Sequence, residues 1–229
     1  MNRLTRDLST EDCGVQLLIP HGQGPFSVLY LEDGKELLPL VQPFVPDDLP
    51  LILAALDPAC RDDAYTPWPA PPLFRSAAPF GGQAEHHAQT LQHIHAEVAA
   101  NFPLTGKEGH LGISLSGLFV LWHLHQKGAF CACASISGSL WYQGFAEWAV
   151  SHPPGREKAD IFLSLGRGES KGRNPLLRTV DQRTQELYHF YLQRYGTEHV
   201  ALSYTDGGHT AHMEERVGCA VQWMLEKLV

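Results

Sequence analysis

The sequence predicts an α/β fold built on a mostly parallel sheet with helices on both faces. Short apolar segments, such as 26–31, 51–56 and 161–165, alternate with longer amphipathic segments along the chain. This alternation is typical of parallel strands joined by crossover helices. Neither an internal repeat nor a linker divides the 229 residues, so we expect one domain over 1–229.

The order of the elements follows from the spacing of apolar residues. Short apolar runs bounded by turn residues are typical of strands, and apolar residues three or four positions apart are typical of helices. Residues 57–83 are rich in Pro, Gly and Ala without a clear period, and we expect a long loop there near the pocket. Strands are predicted at 15–19, 26–31, 51–56, 111–113, 132–137, 161–165 and 200–204, and helices at 84–100, 118–124, 176–195 and 212–228.

Charge and composition exclude several classes of protein. The formal net charge is -8 and no run of Lys or Arg stands out, so a nucleic-acid partner is not expected. No apolar run approaches the roughly 20 residues that span a bilayer, and the first residues lack the apolar core of a signal peptide. The five scattered cysteines do not suggest a disulfide framework, and we expect a cytoplasmic protein. Cys131 and Cys133 are predicted to lie in a buried strand rather than to form a metal or redox pair.

The segment from Gly112 to Gly117 is the most informative motif. It follows an apolar strand and leads directly into an apolar helix, with Ser114 between them. A nucleophile elbow has this context, because the sharp turn exposes the serine hydroxyl at the end of the sheet. Ser116 stands where Gly is common, and we interpret the segment as a variant elbow because serine is small.

A serine becomes a strong nucleophile only when a base accepts its proton, and an acid commonly orients that base. In this architecture the chain order is serine, acid, histidine. Glu169 and His209 follow predicted strands in that order, and two glycines precede His209. We therefore predict Ser114 as nucleophile, His209 as base and Glu169 as the orienting acid. Asp206 is the alternative acid, and a Ser-His pair without an acid is the third possibility.

The other histidines are interpreted as structural or exposed. Four lie on one predicted helix, but their spacing is not His-Glu-x-x-His and no carboxylate stands where a zinc enzyme places its base. We therefore predict no metal site and no cofactor. His212 is close to His209 in sequence but falls at the start of the last helix. The four helical histidines are His86, His87, His93 and His95.

The oxyanion of a tetrahedral intermediate needs hydrogen-bond donors. The backbone N–H of Leu115, directly after the serine, is the first expected donor. The second comes from the loop after an earlier strand, and the segment 33–35 is in the proper place. We expect the backbone N–H of Lys35 to be this donor.

With these motifs the chain resembles an esterase branch of the α/β-hydrolases that includes enterochelin-type siderophore esterases, esterase D, feruloyl esterases and mycolyltransferases. The resemblance implies the α/β-hydrolase fold, Ser114 as nucleophile, His209 as base and Arg61 as a ligand contact. Because the N-terminal region is short, we expect the first strands of that fold to be reduced or missing. The matching segments are 28–34, 61–67, 112–118, 136–141 and 207–209.

Arg61 and Tyr65 are the candidate substrate-binding residues. A guanidinium offers a planar fork of donors to a carboxylate or catecholate oxygen. The alternative for Arg61 is a salt bridge to a neighbouring acid such as Asp62. Tyr65, Trp68 and Phe74 either line the pocket or pack within the long loop.

The predicted function is a serine hydrolase that cleaves a small-molecule carboxylic ester through an acyl-enzyme. Siderophore-type esters or lactones are candidate substrates, and neither a membrane nor a nucleic acid is an expected partner. One alternative is an acyltransferase that uses the same nucleophile. Another is a non-catalytic binding protein with a hydrolase fold, which the altered elbow favours and which the intact Ser114 and His209 argue against.

Overall fold

The computed structural model describes residues 3–126 and 130–229. Over these residues one sheet contains eight strands, which are β1 (Leu4–Asp7), β2 (Cys13–Ile19), β3 (Phe26–Glu32), β4 (Leu51–Pro58), β5 (Leu104–Ile113), β6 (Ala132–Ile136), β7 (Asp160–Gly166) and β8 (Val200–Thr205). The α-helices are α1 (Gly34–Val41), α2 (Arg61–Ala64), α3 (Ala84–Asn101), α4 (Leu115–Leu124), α5 (Phe145–Ser151), α6 (Val180–Tyr195) and α7 (Met213–Leu228).

The sheet has the order β1-β2-β4-β3-β5-β6-β7-β8. The pairs β1/β2 and β2/β4 are antiparallel, and every other neighbouring pair is parallel. The predicted α/β class with a mostly parallel sheet is therefore confirmed. We expected the first strands of the sheet to be reduced or missing, and β1 has only four residues, all of them exposed.

Strand β3 lies at the centre of the sheet and is buried along its whole length. Because side chains alternate between the faces of a strand, Val28 and Tyr30 pack on one face while Leu29 and Leu31 pack on the other. Helices α1 and α7 cover the face of Leu29, and α3, α4, α5 and α6 cover the face of Val28. Burial on both faces explains the continuous apolar sequence of this strand.

Several elements differ from the sequence prediction. The strand β1, the helix α1 and the helix α5 were not expected, because β1 has no alternating apolar pattern and both helices are short. Pro39 lies within α1, so this short helix lacks one backbone donor. Helix α6 begins at Val180 rather than at 176, because residues 177–179 form a separate 3₁₀ turn.

The long segment 57–83 is attached to the body of the protein at several points. It begins with the end of β4 and α2, and a β-bridge joins Ala70 to Phe80. The Tyr142 hydroxyl donates to the Trp68 carbonyl at 2.5 Å, and the Gly82 N–H donates to the Thr66 hydroxyl at 3.0 Å. These contacts hold the segment over the end of the sheet.

The four histidines of α3 serve different local contacts. His86 pairs with Asp12 at 3.3 Å, and buried His87 donates to Glu32 at 2.9 Å. The ring of His95 lies 3.2 Å from the Tyr30 hydroxyl, and His93 is exposed. Within the described residues no group of His, Cys, Asp or Glu could hold a metal ion, and no helix has the length and apolar character to cross a bilayer.

His123 is buried near the end of α4, and His125, directly after the helix, is half-buried. Burial lowers the pKa of His123 to about 3 and the pKa of His125 to about 4. The Nε2 atom of His123 has no hydrogen-bond partner, and burial outweighs the attraction of the Glu32 carboxylate for the protonated ring. Both rings therefore stay neutral in the folded protein at pH values at which the same rings are already protonated in the unfolded chain.

We expect the free energy of unfolding to fall as the pH drops from 7 to 5. The unfolded His123 takes up a proton near pH 6.5 whereas the folded residue does so near 3, so this residue alone removes about 2 kcal/mol over that interval. Denaturant unfolding of the wild type and of His123→Leu at both pH values tests this, with exposed His93→Leu as the control. An unchanged pH dependence in His123→Leu would contradict the assignment.

Candidate active site

The chain turns sharply between β5 and α4, and Ser114 occupies the turn. Its backbone has φ 60° and ψ -119°, a conformation that residues other than glycine rarely adopt. The Ser114 N–H donates to the Ile136 carbonyl of β6 at 3.0 Å. The Ser114 carbonyl accepts from the Ser139 N–H at 2.8 Å and from the Leu118 N–H at 3.0 Å. The neighbouring strand therefore holds the turn in place.

The residues on either side of Ser114 have separate tasks. A Cβ atom at Gly112 would lie 2.5 Å from the Ser116 carbonyl carbon, so the close approach of strand and helix requires glycine there. The Ser116 hydroxyl accepts from the Ile113 N–H at 2.8 Å and donates to the Asp33 carboxylate at 2.8 Å. Ser116 is thus more than a tolerated small residue, because it joins the turn to the end of β3.

The structure brings Ser114, His209 and Glu169 together in one chain of hydrogen bonds. The Ser114 hydroxyl lies 3.1 Å from His209 Nε2, and His209 Nδ1 lies 2.7 Å from Glu169 Oε2. The three residues follow β5, β8 and β7 respectively, at the carboxyl ends of parallel strands. The order and placement expected from the sequence are therefore found in the fold.

Glu169 is buried and accepts several hydrogen bonds. Its side chain is only 4% exposed. Burial alone would raise the pKa of this carboxyl, but hydrogen bonds from His209, the Gly166 N–H and the Ser137 hydroxyl outweigh it and bring the pKa below its ordinary value. Glu169 is therefore a carboxylate at neutral pH and accepts from the ring of His209.

The two alternative residues lie elsewhere. The side chain of Asp206 is 90% exposed, and its charged neighbour is Arg167 at 3.9 Å. His212 is more than half exposed and lies 3.7 Å from Glu215. Neither residue takes part in the hydrogen bonds between Ser114, His209 and Glu169.

Asp33 lies beside the turn, at a position where the sequence indicates only a loop. Its backbone is left-handed at φ 58° and ψ 50°, and its side chain points inward. Burial raises the pKa of Asp33, although the guanidinium of Arg61 and the hydroxyl of Ser116 oppose this. Two bonds join Arg61 to this carboxylate, from Nε at 2.8 Å and from Nη2 at 3.0 Å.

Arg61 and Tyr65 have different surroundings from each other. Arg61 is 40% exposed and lines the cavity beside Ser114, although Asp33 occupies two of its donors. Tyr65 is completely buried and lines neither cavity next to Ser114. The Tyr65 hydroxyl instead accepts from the Asp33 N–H at 2.9 Å. The expectation of a direct substrate contact from Tyr65 is therefore corrected: this side chain supports Asp33 from behind.

The two expected oxyanion donors also differ. Leu115 is the first residue of α4, and the first N–H groups of a helix have no partner within the helix. The N–H of Lys35 donates to the Asp57 carboxylate at 3.1 Å, and Lys35 does not line either cavity at Ser114. The Leu115 N–H thus has no acceptor within its helix, whereas the Lys35 N–H already has one.

Two cavities meet at Ser114 and His209. The first has a volume of about 330 Å³ and combines charged and apolar walls, and the second has about 220 Å³ and mainly apolar walls. The first is lined chiefly by Asp33, Glu36, Leu37, Arg61 and Met213, and the second by Leu73, Phe74, Trp141, Leu177 and Val180. Trp68, a further candidate for the pocket wall, lines neither cavity. The space on one side of Ser114 is therefore bounded by both charged and apolar side chains, and the space on the other side mainly by apolar ones.

Comparison with known proteins identifies similar folds. The siderophore hydrolase EstA from Aspergillus nidulans has a TM-score of 0.77 and 18% sequence identity, with coverage of 98% of this chain and 94% of that chain. The BES protein from Bacillus cereus has a TM-score of 0.73 and 16% identity, with coverage of 98% and 96%. The enterobactin and salmochelin hydrolase IroE has a TM-score of 0.62 and 18% identity, with coverage of 98% and 94%. These similarities confirm the α/β-hydrolase-like fold.

Comparison of sequences identifies the family. The family described as putative esterase matches residues 9–213, and the chain belongs to it. The protein YbbA of Bacillus subtilis (strain 168) is 29% identical over 220 residues, which cover 89% of this chain and 87% of that protein. Family membership supports an esterase or hydrolase activity.

Proposed function

We propose that this member of the putative esterase family is a serine carboxylesterase that acts through an acyl-enzyme. The observation that carries the proposal is the chain of hydrogen bonds from Ser114 through His209 to Glu169, next to two open cavities. A serine hydroxyl within hydrogen-bond reach of an imidazole, itself oriented by a carboxylate, is the arrangement that activates serine for acyl transfer.

In the proposed reaction the Ser114 oxygen attacks the ester carbonyl while its proton moves to His209 Nε2. The Glu169 carboxylate stabilises the resulting imidazolium. The oxyanion accepts a hydrogen bond from the N–H of Leu115 at the positive end of α4. His209 then returns the proton to the leaving alcohol, and an acyl-enzyme is formed. Water then attacks the acyl-enzyme while His209 accepts its proton. His209 returns this proton to the Ser114 oxygen, which releases the carboxylic acid and restores the serine.

The proposed substrate is a small ester whose two halves occupy the two cavities. Phe74 and Trp141 present aromatic surface in the smaller cavity, which suits an apolar or aryl acyl group. Arg61 lines the larger cavity, where it could contact a polar leaving group. The names of EstA and IroE support siderophore-type esters or lactones as candidates to test.

We expect Ser114→Ala and His209→Ala each to abolish hydrolysis of p-nitrophenyl acetate and butyrate, with losses of about 10⁴-fold or more in kcat. The reason is that the first variant lacks the nucleophile and the second lacks the base. Exposed Ser151→Ala is the matched control and should retain full activity.

Labelling with a fluorophosphonate probe gives an independent measurement. The wild type should be labelled on Ser114, because only an activated serine reacts. A folded wild type that neither hydrolyses the esters nor takes up the probe would favour a non-catalytic binding protein. If water were replaced by an added alcohol as the acyl acceptor in most turnovers, the protein would be an acyltransferase.

We expect Glu169→Gln to lower kcat by about 10²- to 10⁴-fold, since an amide cannot stabilise the imidazolium and favours the wrong tautomer of the imidazole. Asp206→Asn is the matched control, because Asp206 is exposed and outside the hydrogen-bond chain, and its kcat should equal that of the wild type. Steady-state kinetics with p-nitrophenyl butyrate measure both variants. A loss of kcat in Asp206→Asn, with the wild-type kcat retained in Glu169→Gln, would make Asp206 the orienting acid.

We expect Leu177→Trp to reduce the hydrolysis of long-chain esters selectively, because Leu177 lines the smaller cavity. The kcat/KM for p-nitrophenyl hexanoate should fall about tenfold or more relative to that for the acetate. Leu176→Trp is the control, since Leu176 is exposed and does not line the cavity. An equal loss for both esters would place the nitrophenyl group, rather than the acyl chain, in this cavity.

A further inference from the structure

Arg216 is a buried cation directly beneath the proposed catalytic residues. It lies in the first turn of α7, and its side chain has no solvent-exposed area. Placing a guanidinium in the interior is costly unless its donors are paired. The identity of its partners therefore indicates why the protein keeps an arginine at this position.

The partners of Arg216 come from the turns after β6, β7 and β8, and from Thr205 at the end of β8, whose hydroxyl accepts from Nε at 2.5 Å. Nη1 donates to the Glu169 carboxylate at 3.0 Å and to the Ser137 hydroxyl at 2.6 Å. Nη1 also lies 3.1 Å from the His209 carbonyl, and Nη2 donates to the Gly208 carbonyl at 2.9 Å. One planar group thus holds both the carboxylate and the backbone that carries the imidazole.

The two carboxylate oxygens of Glu169 have different hydrogen-bond partners. Oε1 accepts from the Gly166 N–H at 2.7 Å, from the Ser137 hydroxyl at 2.8 Å and from Arg216 at 3.0 Å. Oε2 accepts from His209 at 2.7 Å. Because Oε1 is saturated by these donors, the carboxylate cannot rotate without losing several hydrogen bonds, and Oε2 stays directed at the ring.

The backbone at Gly166 leaves the room that the guanidinium needs. A Cβ atom at this position would collide with Nη2 of Arg216 and would lie 2.7 Å from the Gly207 carbonyl oxygen. Three elements therefore meet at the guanidinium: the end of β7, the loop that follows β8, and helix α7. They leave no space for a side chain at position 166.

The charges around His209 come from several elements. Glu169 and Arg216 lie on one side, and Asp33, Glu36 and Arg61 line the cavity that His209 also lines. Arg216 balances the negative charge of Glu169 close to the ring. Removing it would leave that charge uncompensated, which favours the protonated imidazole.

We propose that Arg216 is a positioning residue of the esterase site, which orients Glu169 and His209 together and limits the proton affinity of the imidazole. This inference rests on the proposed function. Unlike a purely structural arginine, Arg216 would influence two separate quantities: the rate of the acyl-transfer step and the pH at which His209 becomes available as a base.

The test compares Arg216→Met, Arg216→Gln and Arg216→Lys with the wild type, using pH profiles of kcat/KM for p-nitrophenyl butyrate. The two neutral variants should lose about 10²-fold in kcat/KM through misplacement of the base, and their acid limb should move to higher pH by about one unit. Arg216→Lys keeps the charge but not the fork of donors. It should therefore lose activity while its acid limb stays near that of the wild type.

Val221→Ala is the matched structural control, because Val221 is buried in the same helix without contact to the site. It should lower the thermal midpoint and leave the pH profile unchanged. Arg216→Gln retains polar groups and serves if Arg216→Met does not fold. An unshifted acid limb in the folded neutral variants would overturn the inference. Failure of the proposed function would appear differently, as full activity in Ser114→Ala.

Discussion

The strained backbone at Ser114 is the constraint on which the rest of the site depends. A residue with φ 60° and ψ -119° is stable only where its surroundings impose that conformation. Here the end of β6 and the turn after it impose the conformation. The Ile136 carbonyl accepts a hydrogen bond from the Ser114 N–H, and the Ser139 N–H donates to the Ser114 carbonyl. Ser137, between them, also has a positive φ of 47°. The parallel pairing of β5 and β6 and the turn after β6 therefore hold the serine in this conformation at the end of the sheet.

The centre of the sheet carries two consecutive buried acids, Glu32 and Asp33, just behind this turn. Burial alone would raise the pKa of Glu32, but the imidazoles of His87 and His110 at 2.9 and 2.7 Å hold it well below its ordinary value. Asp33 depends on Arg61 and on other polar groups for its own hydrogen bonds. Removing one partner from such a network leaves an uncompensated buried group, so these contacts define the local structure as well as stabilising it.

The sequence predicted those parts of the site that local patterns specify. Ser114, Glu169 and His209 each follow a recognisable strand, and chain order selected them; their catalytic roles remain predictions. The contacts of Asp33, Ser116 and Arg216 join segments far apart in the chain, which periodicity cannot pair. Tyr65 was misplaced for the same reason, because a loop sequence does not show which side chains turn inward. One signal for Arg216 did exist: it lies on the apolar stripe of the last helix, four residues before buried Ala220.

The pairing of acids with arginines also bears on the chemistry. The proposed acyl transfer would place a negative charge on the substrate oxygen near Ser114, and nearby carboxylates in a poorly solvated site would oppose it. Two of the buried carboxylates near the serine each have their own cation, Arg61 for Asp33 and Arg216 for Glu169. The two cations differ in exposure, 40% for Arg61 and 0% for Arg216, so the first can also meet a ligand while the second acts only within the protein. In a chain with a net charge of -8, these pairings would limit the repulsion between the acids and the anionic intermediate of the proposed reaction.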